Sequence, residues 1–201
     1  MLLIEEKMLK IYNLEERQEY IKEIVILTQK EWGKRNLDSN EYKNKIIKKV
    51  KQIKELFNDK NYCKLILLDG NNLVGFISIF PKDGEERKDL SPWYATMYVK
   101  EQYRGRGYSK ILNDAILDEA KKRKIKRLYL KTELINYYEK FGAKYMGKLN
   151  EKEKIYYFDL SWIMNIIKKI LKKVGINYFL FLLINMDNSN KNYRFVIMIN
   201  K

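Results

Sequence analysis

One stretch of the chain, Pro92–Ile111, limits the fold more than any other: PWYATMYVKEQYRGRGYSKI. Its first part, Trp93–Val99, is rich in aromatic and β-branched residues, which is typical of a strand. A basic turn with two glycines follows at residues 104–107. From Tyr108 onward the apolar residues have helical spacing. A strand that passes through a glycine turn into a helix leaves backbone amides exposed at the helix N-terminus, which favours phosphate binding. The stretch therefore predicts a phosphate-binding turn.

Helical spacing of apolar residues also predicts helices elsewhere in the chain. The first covers residues 14–32 and ends at Gly33. The second covers residues 40–57, with Asp38 and Ser39 as candidate capping residues. A short helix is predicted at residues 136–141, where Gly142 would end it.

Apolar runs with strand character lie between these helices. Two of them are joined by the turn Asp69–Asn72 and predict a β-hairpin. The predicted strands, besides Trp93–Val99, cover residues 63–68, 73–80, 125–132, 143–149 and 154–160. This order predicts an α+β (mixed α/β) fold with a central, mostly antiparallel sheet flanked by helices.

The last residues, 161–201, predict an appendage to a domain of residues 1–160. Apolar residues and lysines take opposite sides of a helix from Trp162 to Lys173, and two apolar runs then flank a polar turn. The segment is expected to form a helix plus a hairpin. Its apolar run at residues 178–184 is too short to span a bilayer as a helix. We expect the appendage to form a homodimer surface or to pack within the chain, rather than to contact a membrane.

The composition excludes several kinds of chemistry. The chain has no histidine, which removes Ser–His–Asp and Cys–His arrangements and most zinc sites, so no metal site is expected. The single cysteine, Cys63, lies in an apolar run and is expected to be a buried thiol. A formal net charge of +15 favours anionic partners. Glu5 and Glu6 follow four apolar residues directly, so we expect no secretory signal and a cytoplasmic protein.

The glycine turn differs from two common phosphate loops. The nucleotide P-loop and the dinucleotide fingerprint both fail, the second because Lys110 stands where its third glycine is required. The sequence from Arg104 to Ser109, RGRGYS, instead resembles the Gln/Arg-x-x-Gly-x-Gly/Ala pattern of the GNAT superfamily of N-acetyltransferases. Ser109 departs from the usual glycine or alanine. Downstream, Tyr137–Ala143, YYEKFGA, resembles a second GNAT motif, Phe-Tyr-Glu-Lys-x-Gly-Phe. The resemblance covers about residues 8–160.

The resemblance implies a GNAT fold, acetyl-coenzyme A as co-substrate, and direct acetyl transfer to a primary amine of a small molecule or peptide. By the same analogy, Tyr138 is the general acid for the leaving thiolate. The implied cofactor-binding residues lie on the strand, the turn and the start of the short helix: Met97, Tyr98, Val99, Arg104, Gly105, Arg106, Gly107, Tyr108, Ser109 and Asn136.

The general base stays open at the level of sequence. The strand Trp93–Val99 carries no acid, which leaves a water relay or nearby carboxylates. Glu133 follows a predicted strand and is the candidate catalytic carboxylate. Glu85, Glu86 and Asp89 lie in the loop before residue 92. Because the base is missing, a catalytically weak GNAT-fold binding module that contacts nucleic acid or membrane through its basic surface is the alternative. Nucleic acid is not expected as a partner of the enzyme.

Overall fold

A mixed sheet of seven strands carries the fold in the part of the chain that the structure, a computed structural model, describes: residues 9–33, 37–84 and 86–161. In chain order the strands are β1 Leu9–Asn13, β2 Cys63–Asp69, β3 Asn72–Phe80, β4 Trp93–Val99, β5 Arg127–Thr132, β6 Lys144–Lys148 and β7 Lys154–Asp159. Their order in the sheet is β1-β2-β3-β4-β5-β7-β6. Only β4 and β5 pair in parallel among these strands, so the predicted mostly antiparallel sheet is confirmed.

Three α-helices flank the sheet in the described residues: α1 Ile21–Trp32, α2 Ser39–Leu56 and α3 Tyr108–Lys122. Asp38 begins α2, because its carboxylate accepts from the amides of Asn40 (2.8 Å) and Glu41 (2.9 Å). The Glu41 carboxylate accepts in return from the Asp38 amide, which completes a capping box. The predicted second helix is therefore confirmed, and so is the helix after the glycine turn.

The predicted helix over residues 14–32 is wrong in its first part. Residues 14–16 and 18–20 form two 3₁₀ turns, and the α-helix begins only at Ile21. The Asn13 side chain accepts from the Glu15 amide (3.2 Å), and this local bond favours a turn over a helix. The strand β1 before it was not predicted.

The predicted short helix at residues 136–141 is also wrong at its start. Asn136 has a left-handed φ of 56°, which interrupts a right-handed helix, and a 3₁₀ turn forms only at residues 139–141. The predicted appendage falls on residues 162–201, outside the described part of the chain, and its boundary stays a prediction. Within the described residues, no helix is long and apolar enough to cross a membrane.

Each face of the sheet has its own apolar layer. On one face α3 packs Leu112 and Ile116 against Ile77 and Ile79 of β3. The buried thiol of Cys63 belongs to this layer, as expected. The other face packs against α1 and α2 through a second cluster: Ile21, Ile24, Ile46, Ile66, Phe76 and Tyr98. The start of α3 and the end of α1 thereby approach β4 from opposite faces.

The strand β4 leaves the regular sheet in two ways. Phe76 pairs with Tyr98 and Ser78 with Ala95, so Thr96 and Met97 together oppose Ile77 alone. This is a β-bulge, which leaves backbone groups of the bulged strand unpaired. Thr96 has a left-handed φ of 51°. On its other side β4 pairs with β5 only at Trp93 and Tyr129. Beyond that pair the two parallel strands separate and form the walls of a gap.

Candidate active site

A cleft of about 290 Å³ lies where β4 ends and α3 begins. Eight of the ten predicted cofactor-binding residues line it: Met97, Tyr98, Val99, Arg104, Gly105, Gly107, Tyr108 and Ser109. The fold therefore brings the strand end and the glycine turn together at one opening. Arg106 and Asn136 do not line the cleft.

The glycine turn presents its backbone to solvent. Gly105 and Gly107 have left-handed φ values of 75° and 79°, which glycine adopts without strain. A Cβ atom at either position would meet no atom within 4 Å, so the space above the turn is open. Within the described residues, no backbone carbonyl accepts from the amides of residues 105–109. Free amides at the N-terminus of α3 fit a pyrophosphate, because the helix dipole adds partial positive charge there.

The two arginines of the turn lie in different places. Arg104 donates from its Nε to the carbonyl of Val99 (3.0 Å), and its guanidinium lies 5.7 Å from the centre of the Tyr98 ring. These contacts fix Arg104 at the wall of the cleft. Arg106 lies over the Tyr103 ring instead, at 5.8 Å, and does not line the cleft. Only Arg104 is therefore fixed where it can meet a phosphate group in the cleft.

Tyr138 lies in an aromatic cluster beside the gap between β4 and β5. Its ring makes edge contacts with Tyr94 and Tyr137, at centroid distances of 5.6 Å and 5.0 Å. Burial, with a smaller contribution from Tyr137, raises the pKa of Tyr138 to about 12. The hydroxyl therefore stays protonated at neutral pH, as a general acid must.

The structure does not assemble the predicted carboxylates into a base. Glu133 is exposed beyond the end of β5 and does not line the cleft. Asp89 pairs with Arg87 (2.7 Å), and the hydrogen bond from Arg87 lowers the pKa of this carboxyl, which makes it a weaker base. Glu86 does not line the cleft either. Glu85 lies outside the described residues.

Four other residues complete the wall of the cleft: Glu31, Trp32, Tyr103 and Tyr137. Trp32 is 53% exposed at the end of α1 and makes an edge contact with Tyr98, at 6.1 Å between ring centroids. Sequence reasoning missed all four. Tyr137 and Tyr138 both lie in the second motif, and the sequence interpretation assigned a role in the site to Tyr138 alone. The position of Trp32, a tryptophan at the very end of a predicted helix, was the sequence feature that could have indicated its place in the cleft wall.

Metal-binding side chains do not cluster in the described ranges. No group of three or more His, Cys, Asp or Glu residues lies close enough there to hold a metal ion. The cleft thus combines free amides, a fixed arginine and an exposed carboxylate, Glu31, and the protonated Tyr138 contacts Tyr137 of its wall. This set suits binding of a phosphorylated carrier and transfer of a group to an amine.

Comparison with known proteins identifies the class. A sequence model of the acetyltransferase (GNAT) family matches residues 11–143. The chain therefore belongs to the GNAT acetyltransferase family, a class of enzymes that uses acetyl-coenzyme A. This confirms the resemblance seen in the sequence, the expected enzyme class and its co-substrate.

The sequence identity to individual relatives is low. The spermine/spermidine N(1)-acetyltransferase of Bacillus subtilis (strain 168) is 31% identical over 87 residues, which are 39% of this chain and 57% of that protein. The chain therefore matches little more than half the length of that relative. A dodecameric spermidine N-acetyltransferase from Vibrio cholerae has a similar fold: TM-score 0.59, 18% identity, 80% of this chain and 98% of that one. The structure of an aminoglycoside 6'-N-acetyltransferase complexed with coenzyme A has a TM-score of 0.55 and 17% identity, and the match covers 75% of this chain and 97% of that one.

Proposed function

We propose that the protein transfers an acetyl group from acetyl-coenzyme A to a primary amine by direct attack, without a covalent enzyme intermediate. The separation of β4 from β5 after the single pair Trp93–Tyr129 carries this proposal. It opens a gap beside the aromatic cluster of Tyr138, and the cleft at the glycine turn reaches Tyr137, whose ring contacts Tyr138. A linear acyl carrier fits such a gap, with its phosphates at the turn and its thioester toward Tyr138.

The turn would bind the pyrophosphate through backbone groups. The amides of residues 105–109 supply donors, and Arg104 adds a fixed positive charge. The bulge at Thr96 and Met97 leaves backbone groups of β4 without partners on β3. Donors of this kind stabilise negative charge on a carbonyl oxygen, because their orientation is fixed before the reaction. Acetyl-coenzyme A supplies the activated acetyl group.

Tyr138 would stabilise the leaving thiolate. Its hydroxyl holds a proton at neutral pH because burial raises its pKa to about 12. A thiol has an ordinary pKa of about 8.5, so the tyrosine donates a hydrogen bond more readily than it releases its proton completely. Glu133 is exposed away from the cleft, and we assign it no role in the transfer.

We propose a flexible polyamine as the acceptor to test first. Two relatives are named for spermine or spermidine, and Glu31 adds a carboxylate to the cleft wall. A carboxylate at the wall attracts a cationic amine locally, whatever the net charge of the chain. The ring of Trp32 at the same place suits an ammonium group as well.

Calorimetric titration with acetyl-coenzyme A tests the proposal, followed by acetylation assays with spermidine, an aminoglycoside and a lysine peptide. We expect binding and preferential acetylation of spermidine. Folded protein that does not bind acetyl-coenzyme A at about millimolar concentration would contradict the proposal. Binding without turnover of any amine would favour the alternative, a catalytically weak binding module.

A further inference from the structure

A buried polar cluster lies beneath the bulge of β4. It consists of Lys64 on β2, Ser78 on β3 and Thr96 on β4, three adjacent strands. Lys64 is 2% exposed and Ser78 is fully buried. The amine of Lys64 lies 3.3 Å from the Thr96 hydroxyl, and the hydroxyls of Ser78 and Thr96 lie 2.7 Å apart. A lysine so deeply buried is rare in a sheet and needs a physical reason.

The surroundings of the Lys64 amine allow both its charged and its neutral form. The rings of Phe76 and Phe80 lie at 5.0 Å and 5.5 Å from the nitrogen, which stabilises an ammonium ion. Burial works in the opposite direction and lowers the pKa of Lys64 to about 7. The two forms are therefore comparably populated near neutral pH.

Few ionisable groups act on this amine. On β2 itself, the thiol of Cys63 is neutral at pH 7, because burial raises its pKa to about 11. The ring of Tyr62 packs against the same Phe80 ring, and burial raises the pKa of the Tyr62 hydroxyl as well. The strands β3 and β4 contribute only the two phenylalanine rings and the hydroxyls of the cluster. Among the described residues, no charge of α1 or α2 is a cause of the shift in the pKa of Lys64.

Thr96 is the member of this cluster that lies nearest in the chain to the cleft wall. It is half-buried, whereas Lys64 and Ser78 are shielded from solvent. Its chain neighbour Met97 lines the cleft, and so does Tyr98, which packs on the same face as α1 and α2. Thr96 itself is not part of the cleft wall, but it is the cluster residue that is partly open to solvent and that adjoins a wall residue in the chain.

The proposed transfer still needs a group that accepts the proton of the amine. The strand β4 carries no acid, and Glu133 and Asp89 do not line the cleft. Glu31, the carboxylate of the cleft wall, is assigned above to attracting the cationic amine. We propose that Thr96 and Lys64 form a proton relay that takes this proton, an inference that rests on the proposed acetyl transfer. Thr96 would contact the reacting nitrogen, and Lys64 would act through it as a positioning and proton-storing residue.

The protons balance along the relay. In the structure the Lys64 amine donates to the Thr96 hydroxyl, which shares a second hydrogen bond with Ser78. When Lys64 is neutral, its lone pair can accept from Thr96 instead, and Thr96 can accept from Ser78. When the amine nitrogen bonds to the acetyl carbon, it becomes positively charged and its N–H proton becomes acidic. That proton passes to the Thr96 oxygen while the hydroxyl proton of Thr96 passes to Lys64, which becomes an ammonium ion. Lys64 later returns its proton to solvent by the same path.

The test compares kcat/KM for spermidine between about pH 5.5 and 9 in four variants. We expect an inflection near pH 7 in the wild type, with activity rising as Lys64 loses its proton. Lys64→Met and Thr96→Val should lose this inflection and about 100-fold in kcat/KM, a typical contribution of general base catalysis. Thr96→Ser keeps the hydroxyl and should restore most activity. Lys49→Met, which removes a half-buried lysine of α2 that bonds Gln29, serves as the matched control.

Two further measurements separate the relay from a purely structural role. Carbon NMR of ε-labelled lysine should show one resonance that titrates near pH 7 in the wild type and is missing in Lys64→Met. Calorimetry should show unchanged acetyl-coenzyme A binding in that variant, which demonstrates an intact fold. The relay is overturned if no lysine titrates below about pH 9, or if Lys64→Met keeps the inflection. Failure of the proposed function differs: the wild type then neither binds acetyl-coenzyme A nor acetylates any amine, and the relay falls with it.

Discussion

The glycine turn of the cleft and the region around β4 offer different kinds of chemical group. The turn of residues 104–107 is exposed and rich in glycine, and together with the start of α3 it offers backbone amides. The region beneath and beside β4 is buried or half-buried and offers side chains: Lys64, Thr96 and Tyr138. In the first region no side chain is required at the glycines. In the second, the chemistry depends on particular side chains from separate elements.

The difference shows how burial separates binding from chemistry. An exposed amide is a donor at any pH, so the turn can bind phosphate without adjusting any pKa. Buried side chains instead change their protonation: burial lowers the pKa of Lys64 to about 7 and raises that of Tyr138 to about 12. Substitutions in the turn should therefore change affinity, and substitutions in the buried region should change rate and pH dependence.

The largest effect should follow from Tyr138→Phe. This change removes the hydroxyl but keeps the ring contacts with Tyr94 and Tyr137. We expect kcat to fall by about 100-fold while the Kd for acetyl-coenzyme A stays the same, because the tyrosine acts on the leaving group. Since the hydroxyl is protonated below about pH 12, the wild type should not lose activity up to about pH 9 for want of this acid.

A matched change checks that the loss belongs to the site. Tyr145 is an exposed tyrosine on β6 that makes an edge contact with Tyr156. Tyr145→Phe should leave kcat unchanged. Equal kcat in Tyr138→Phe and the wild type would show that the thiolate leaves without help from this hydroxyl.

A smaller effect is expected on stability through Lys64. Its pKa falls from 10.5 to about 7 in the folded protein, so the unfolded chain binds more protons between these values. The free energy of unfolding should therefore rise with pH in this window, and this contribution disappears below about pH 7, where both states are protonated. From pH 7 to 8.5 we expect a gain of about 1–2 kcal/mol.

Denaturant unfolding of the wild type and Lys64→Met at several pH values measures this gain. The difference between the two proteins separates the contribution of Lys64 from that of other groups, such as Cys63, that titrate at higher pH. A parallel pH dependence in both proteins would mean that Lys64 stays charged in the fold, and the relay would lose its base.

The two regions also differ in how far the sequence predicts them. Glycines and a helix start are local features, so the turn could be predicted from spacing. The family resemblance implied the ten cofactor-binding residues, and eight of them line the cleft. The cluster of Lys64, Ser78 and Thr96 could not be found, because strand register brings together residues that are 14 and 18 positions apart in sequence. The sequence shows Lys64 as a single lysine in an apolar run and does not indicate which residues it contacts.

Local sequence also failed where short-range bonds compete with periodicity. Asn13 turns the chain into 3₁₀ geometry before α1, and the left-handed Asn136 shortens the predicted helix before Gly142. Both are asparagines, which form local side-chain bonds or accept left-handed backbone. The apolar residues around them do have helical spacing, but these two asparagines decide where the helical segments begin. Elements with strong caps, such as α2 with Asp38, were predicted within one residue.

The smallest of the three effects tests the turn. Gly107 has a left-handed φ of 79° and directly precedes α3. Alanine in this conformation costs about 1–2 kcal/mol, and the strain should shift the amides that follow it. We expect Gly107→Ala to weaken acetyl-coenzyme A binding by about tenfold, as measured by calorimetry, with kcat at saturation unchanged.

Gly70 supplies the matched control for this prediction. It also has a left-handed φ, 57°, with no atom within 4 Å of an added Cβ, but it lies in the hairpin turn between β2 and β3. Gly70→Ala should lower stability by a similar amount and leave the affinity unchanged. If both variants lose affinity equally, the loss reflects general destabilisation. If neither does, the amides after Gly107 do not hold the pyrophosphate, and binding must rest on side chains such as Arg104 after all.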